Sequence, residues 1–103
     1  MSNQDLKDQV LHIRNQIESG EYETEEECSG YDYLSDVYNI TYYVDGDKIY
    51  QGARVMVACG GPNIFIDTYR KSVEGYWWGD NYSTTYMTDS LNLDQALEEI
   101  YDC

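Results

Sequence analysis

Apolar residues recur along this chain with two different periods, and the changes between them divide it. Leu6, Val10, Ile13 and Ile17 fall at helical spacing and form one narrow stripe, which predicts an N-terminal amphipathic helix. Ser2 and Asp5 stand in capping-box positions at its start, and Gly20 supplies a left-handed stop after its last periodic residue. Glu21 to Cys28 is the most acidic and least apolar stretch, and it reads as either a solvated loop or the start of a second helix. Tyr31, Leu34, Val37 and Tyr38 return to helical spacing and predict a short helix over 31–38, although four aromatic and β-branched residues in eight also suit a strand.

From Asn39 the period becomes two. Ile40, Tyr42 and Val44 alternate with Thr41 and Tyr43, and Asp45-Gly46-Asp47 supplies a tight turn. Ile49 to Cys59 is the longest strand, with Val55, Val57 and Cys59 on one face and Arg54, Met56 and Ala58 on the other. Gly60-Gly61-Pro62-Asn63 is the strongest turn signal in the chain. Strands follow at Ile64–Thr68 and Val73–Trp78. Gly79-Asp80-Asn81 ends the second of these, and a short fifth strand is expected over Ser83–Met87. The period then returns to 3.6: Leu93, Ala96, Leu97 and Ile100 form a stripe behind an Asn92/Gln95 capping pair. The expected fold class is α+β, an antiparallel four- to five-stranded meander with N- and C-terminal helices packed on one face. The other face is then free to carry exposed Tyr and Trp.

Composition sharpens this picture. At 103 residues the chain is expected to be a single domain, and with 42% hydrophobic residues, twelve Tyr, two Trp and one Pro it is too apolar for disorder. No run of 18 apolar residues and no apolar leader is present, so a soluble cytoplasmic protein is expected. Cys28, Cys59 and Cys103 have no metal or redox spacing; Cys59 is expected as a small buried hydrophobe, and Cys28 among carboxylates is a poor thiolate.

Charge changes the picture most. The formal net charge is −14. Eight acids lie between Glu18 and Asp36 and seven between Glu74 and the last residue, and neither block holds a Lys or Arg. Such an imbalance costs self-repulsion and creates a field that steers basic partners. Asp94, Glu98, Glu99 and Asp102 lie on the last helix, three of them at the end where acids oppose the macrodipole, so negative charge is favoured there over stability.

No catalytic or cofactor pattern accompanies the charge. The one histidine, His12, sits beside the first stripe as a boundary residue, and no Gly-x-Ser-x-Gly elbow occurs. Asp45-Gly46-Asp47 lacks the ligand alternation of a calcium loop, and no metal or cofactor is expected. With twenty acids, any carboxylate pair is unspecific. Gly60-Gly61-Pro62-Asn63 has no following Lys and leads into a strand, so it is a turn and not a phosphate cradle. Direct nucleic-acid binding is disfavoured by charge.

Tyr76-Trp77-Trp78 points instead to a protein partner. Adjacent strand residues face opposite ways, so one Trp is expected in the core and the other outside, unless a helix covers it. The acids extend that idea. A domain of this length is about 30–35 Å across, and ~30 Å of duplex DNA displays on the order of 18 phosphates. Twenty acids approach that density if they gather on one side.

Small size, extreme acidity, high tyrosine content and an α+β pattern together resemble small phage- or mobile-element-encoded inhibitors of bacterial defence, including anti-CRISPR and anti-restriction DNA mimics. The resemblance is compositional and spans the whole chain. The stretches Gly60-Gly61-Pro62-Asn63-Ile64-Phe65-Ile66-Asp67-Thr68 and Gly75-Tyr76-Trp77-Trp78-Gly79-Asp80 look like a family core, and no functional residue is carried over by position. It implies a non-enzymatic inhibitor that occupies a basic nucleic-acid channel of a defence nuclease. The residues expected to meet that partner are Glu23, Glu25, Glu26, Glu27, Asp32, Asp36, Tyr76, Trp78, Asp80, Glu98, Glu99 and Asp102. An immunity-type protein against a basic toxin nuclease, and a small-ligand domain or enzyme using a sheet–helix groove, are the alternative expectations.

Overall fold

The computed structural model describes residues 3–20, Leu34 and 37–102. Within them run α1 (Asn3–Ser19), β1 (Asn39–Val44), β2 (Tyr50–Ala58), β3 (Asn63–Asp67), β4 (Ser72–Trp77), β5 (Asp80–Thr85) and α2 (Leu93–Asp102). The five strands pair antiparallel in sequence order, so the fold is the α+β meander that the two periods predict. The acidic stretch 21–28, and most of the helix expected over 31–38, fall outside the described residues. Tyr38 lies beyond any such helix, because its N–H already donates to the Met56 carbonyl at 2.9 Å, at the entrance to β1.

Register explains which face is covered. Ile66 stands opposite both Val55 and Val73, and Ile64 opposite Gly75. These inward residues form one buried cluster with Leu6, Val10 and Ile17 of α1 and with Leu93, Ala96 and Leu97 of α2. Both helices therefore lie on the same face, α1 over β4 and β5, α2 over β2. The seat of α1 is tight at Gly75, where a Cβ would come within 2.7 Å of Val10 Cγ2 and 2.8 Å of Leu6 Cδ1. Only glycine lets the helix approach this closely.

Hydrogen bonds tie α1 to the segment before α2, and α2 to the sheet. The Ile17 carbonyl accepts from the Ser90 N–H at 2.9 Å and the Glu18 carbonyl from Ser90 Oγ at 2.7 Å, which fixes the end of α1 against the loop that enters α2. At the other end, the Tyr101 hydroxyl donates to the Lys48 carbonyl at 2.8 Å, and the Tyr50 hydroxyl donates to Asp94 at 2.7 Å. Burial is the main reason the Tyr50 and Tyr86 phenols sit far above their usual range. Asp94 reinforces it at Tyr50, against an opposing bond with Thr68, and Asp89 and Asp94 reinforce it at Tyr86.

Several local expectations are corrected. Cys59 is exposed rather than buried: β2 ends at Ala58, and Cys59 leads into the glycine turn. A register shift between Met56 and Ala58 places Ala58 opposite Ile64, so Val57 and Ala58 both pack against the core instead of alternating. The α2 cap is Asp89, whose carboxylate accepts from the Leu93 and Asp94 N–H groups at 2.9 and 3.0 Å. Asn92 takes part through its backbone alone, its N–H donating to the Asp89 carbonyl and its carbonyl accepting from the Ala96 N–H. The Ser2 half of the first capping pair lies outside the described residues. No helix among the described residues is long and apolar enough to cross a membrane.

Gly75→Ala is expected to lower the unfolding free energy by about 1–3 kcal/mol, because the methyl meets a stiff valine and a leucine in a filled core. Urea titration of the two proteins measures this, and an unchanged midpoint would mean that α1 is not seated as described.

Candidate functional site

The expected partner-facing residues fall into three groups. Glu23, Glu25, Glu26, Glu27, Asp32 and Asp36 lie outside the described residues. Glu98, Glu99 and Asp102 are exposed on the outer side of α2, and Tyr76, Trp78 and Asp80 are exposed around the β4–β5 hairpin.

The α2 group follows from the helix itself. Leu93, Ala96 and Leu97 turn inward, so Asp94, Glu98, Glu99 and Asp102 are left along the outward side. From Asp94 to Asp102 the helix axis rises about 12 Å. A single DNA strand displays roughly three to four phosphates over that length, and α2 displays four carboxylates. Asp94 is held by Tyr50, whereas Glu98, Glu99 and Asp102 make no ion pair among the described residues. The last turn of α2 contains no base. Lys48, Arg70 and Lys71 lie in the strand turns at this same end of the sheet, and none is ion-paired to α2 among the described residues.

At the hairpin the structure departs from expectation. Strand β4 ends at Trp77, which pairs with Asp80, so the turn is Trp78-Gly79 and β5 begins at Asp80. The fifth strand thus runs over 80–85 rather than 83–87. Trp78 and Gly79 have φ of 48° and 82°, the left-handed pair that a two-residue hairpin of type I′ demands. Trp77 packs partly against the core. Trp78 does not face out from a strand but stands at the hairpin tip, 85% exposed, its ring 5.7 Å from that of Trp77 and nearly perpendicular to it.

The face of the sheet opposite α1 and α2 holds a feature that the charge pattern did not reveal. Arg54 of β2 ion-pairs with Glu74 of β4 and lies 3.8 Å from Asp67 of β3. Its guanidinium sits 4.2 Å from the Phe65 ring centroid. Asp67, 1% exposed, also accepts from the Tyr43 hydroxyl and the Arg70 N–H, each at 2.9 Å. The Tyr76 hydroxyl donates to Glu74 at 3.2 Å, and the Tyr76 ring meets the edge of Phe65. Burial alone would lower the Arg54 pKa; the bonds to Glu74 and Tyr76 outweigh it and hold the guanidinium above its ordinary value. Burial, then the bond to Asp67, raises the Tyr43 phenol. These partners are far apart in sequence and become neighbours only through strand register, in which Arg54 stands opposite Asp67 and Phe65 opposite Glu74.

The two described groups do not meet. The ends of α2 lie by the 45–49 and 68–71 turns, whereas Trp78 is at the opposite end of β4, about 20 Å away along a six-residue strand. Asp80, which falls within the same base-free block of sequence as the α2 acids, belongs with the aromatics instead. Among the described residues no three His, Cys, Asp or Glu side chains are placed to hold a metal ion. Comparison with known proteins finds no matching family, curated protein or solved structure.

Arg54→Met leaves Asp67 and Glu74 without their cation. The expected loss is about 2–3 kcal/mol, below the ~3–5 kcal/mol of a fully enclosed pair, because the Arg54 side chain is 26% exposed. Adding Asp67→Asn should recover part of it. Denaturant titration reads both, and a loss under about 0.5 kcal/mol would mean water already screens the pair.

Proposed function

We propose that this chain is a non-enzymatic inhibitor that binds the basic nucleic-acid-binding surface of a bacterial defence nuclease, a CRISPR effector or a restriction enzyme, with its carboxylates in the place of phosphates. The observation that carries the reading is the outer side of α2. Four carboxylates there match the charge density of one nucleic-acid strand, and three of them have no ion-pair partner among the described residues. Carboxylates offer Arg and Lys the same charge-assisted hydrogen bonds that phosphates do. A chain of net charge −14 also meets a basic channel faster than diffusion alone allows.

The aromatics supply what charge does not. Long-range attraction sets encounter rate and discriminates against acidic partners, but affinity needs desolvated anchors. Tyr76 and Trp78 are exposed residues of the types that serve as such anchors. Trp78 stands about 20 Å from the α2 end of β4, so a partner that engages both ends touches the molecule at two separated points.

The test is competition. The protein is incubated with purified CRISPR effectors and restriction enzymes, and binders are then challenged with DNA. The reading predicts mutual exclusion with DNA and an affinity that falls at least about tenfold as salt rises several-fold. A binder that accepts DNA and this protein together, or whose affinity is flat with salt, contradicts it.

A further inference from the structure

We propose that the end of the β4–β5 hairpin is a receptor for one cationic side chain of the partner, an arginine guanidinium in preference to a lysine ammonium. This deepens the preceding reading and rests on it in requiring a basic partner.

A groove of about 330 Å³ lies between the hairpin tip and the β2–β3 turn, and its walls include Tyr76, Trp77, Trp78 and Asp80, with Asn63 and Asn81 as the amides. Aromatic faces attract a cation through their quadrupole, a carboxylate adds charge, and amide oxygens accept N–H bonds. No Lys or Arg lines the groove. A planar guanidinium stacks on an aromatic ring and bonds at its edges at once, which an ammonium cannot do.

The molecule already holds one arginine between an aromatic ring and carboxylates. On the same face of the sheet, Arg54 lies over Phe65, flanked by the carboxylates of Glu74 and Asp67. One row further toward the hairpin, Asn63, Tyr76 and Asn81 stand in register across β3, β4 and β5. An aromatic ring recurs there between two amides, and the cation does not; the carboxylate of the groove, Asp80, comes from the neighbouring pair with Trp77. Tyr76 joins the two sets, since its hydroxyl is held by Glu74 and its ring by Phe65. One wall of the groove is therefore fixed before any partner arrives.

The turn chemistry agrees. A type I′ hairpin takes Asn-Gly, because both central residues need positive φ. Here the first position is Trp78, a bulky side chain in a region where such residues are rare. Fold stability alone selects against tryptophan at that position, and it is the most exposed aromatic of the described residues. Backbone strain of this kind persists where the side chain has a use.

Trp78→Asn separates binding from folding, since asparagine fits the turn at least as well. The full chain, wild type and Trp78→Asn, is titrated with blocked arginine amide, blocked lysine amide, blocked glutamate and a hexa-arginine peptide, and backbone amides and the Trp77 indole are followed by NMR. The expected result is saturable shifts centred on the hairpin, stronger for arginine than for lysine and absent for glutamate. Trp78→Asn should weaken the arginine response at least about fivefold while its thermal midpoint stays level or rises. Arginine shifts spread over the α2 acids without a hairpin maximum, or a Trp78→Asn protein that binds as well as wild type, would overturn the receptor. If that happens while the protein still excludes DNA from a nuclease, the receptor fails and the inhibitor reading stands. A hairpin that binds arginine in a protein that displaces no DNA has the opposite meaning: the receptor holds and the nuclease reading fails.

Discussion

Everything in this molecule depends on the close approach of α1 to the sheet at Gly75. With no Cβ there, Leu6 and Val10 descend onto β4, and the helix closes a single core with Ile64, Ile66, Val73 and α2. The same contact determines what is left uncovered. Two helices on one face provide the hydrophobic burial that a domain of this size needs, and the described helices leave the opposite face to stabilise itself. It does so with cross-strand side chains: a half-buried arginine, two carboxylates and an aromatic pair. An ion triad at that position contributes less to stability than an apolar layer would. What it provides is a rigid surface whose aromatic and charged groups are already in place.

Charge and aromatic groups then sort to different ends. The helix that completes the core carries the acids outward over the 45–49 and 68–71 turns, and the β4–β5 hairpin carries Trp78 away from them. A flat mimic of a nucleic acid would gather both into one patch. Under the proposed function, the partner is drawn in by charge along α2 and anchored at a separate point by tryptophan. Steering and anchoring depend differently on salt and on water, so their separation makes each independently measurable.

How far the sequence discloses this is a question of range. The 3.6-residue stripe of Leu6, Val10 and Ile17 and the alternation through Ile40 to Val44 are local, and the helices, the strand order and the covered face follow from them. Helix and strand ends are decided by weaker competitions. Gly79-Asp80-Asn81 has the residues of a turn, yet the hairpin closes one residue earlier because Trp78 accepts a conformation its side chain disfavours. Asp89 caps α2 from a position that the Asn92/Gln95 spacing conceals. The bulge after Met56 moves Ala58 across the sheet and releases Cys59 to solvent, and alternation alone cannot locate a bulge. Of the site, the exposure of Glu98, Glu99 and Asp102 was legible from the α2 stripe. The Arg54–Asp67–Glu74 cluster was not, because its members meet only through the register of three strands.

Under the proposed function, negative charge on α2 is kept at the expense of the fold, for a partner. Glu98→Gln/Glu99→Gln/Asp102→Asn removes the three acids at the helix end that disfavours them and spares Asp94, which Tyr50 needs. Unfolding free energy measured for this variant and the parent across ionic strength is the direct test. At low salt the variant should be more stable by about 1–2 kcal/mol, with the gap closing as salt screens the parent's repulsion. A variant no more stable than the parent at any salt concentration would contradict the account.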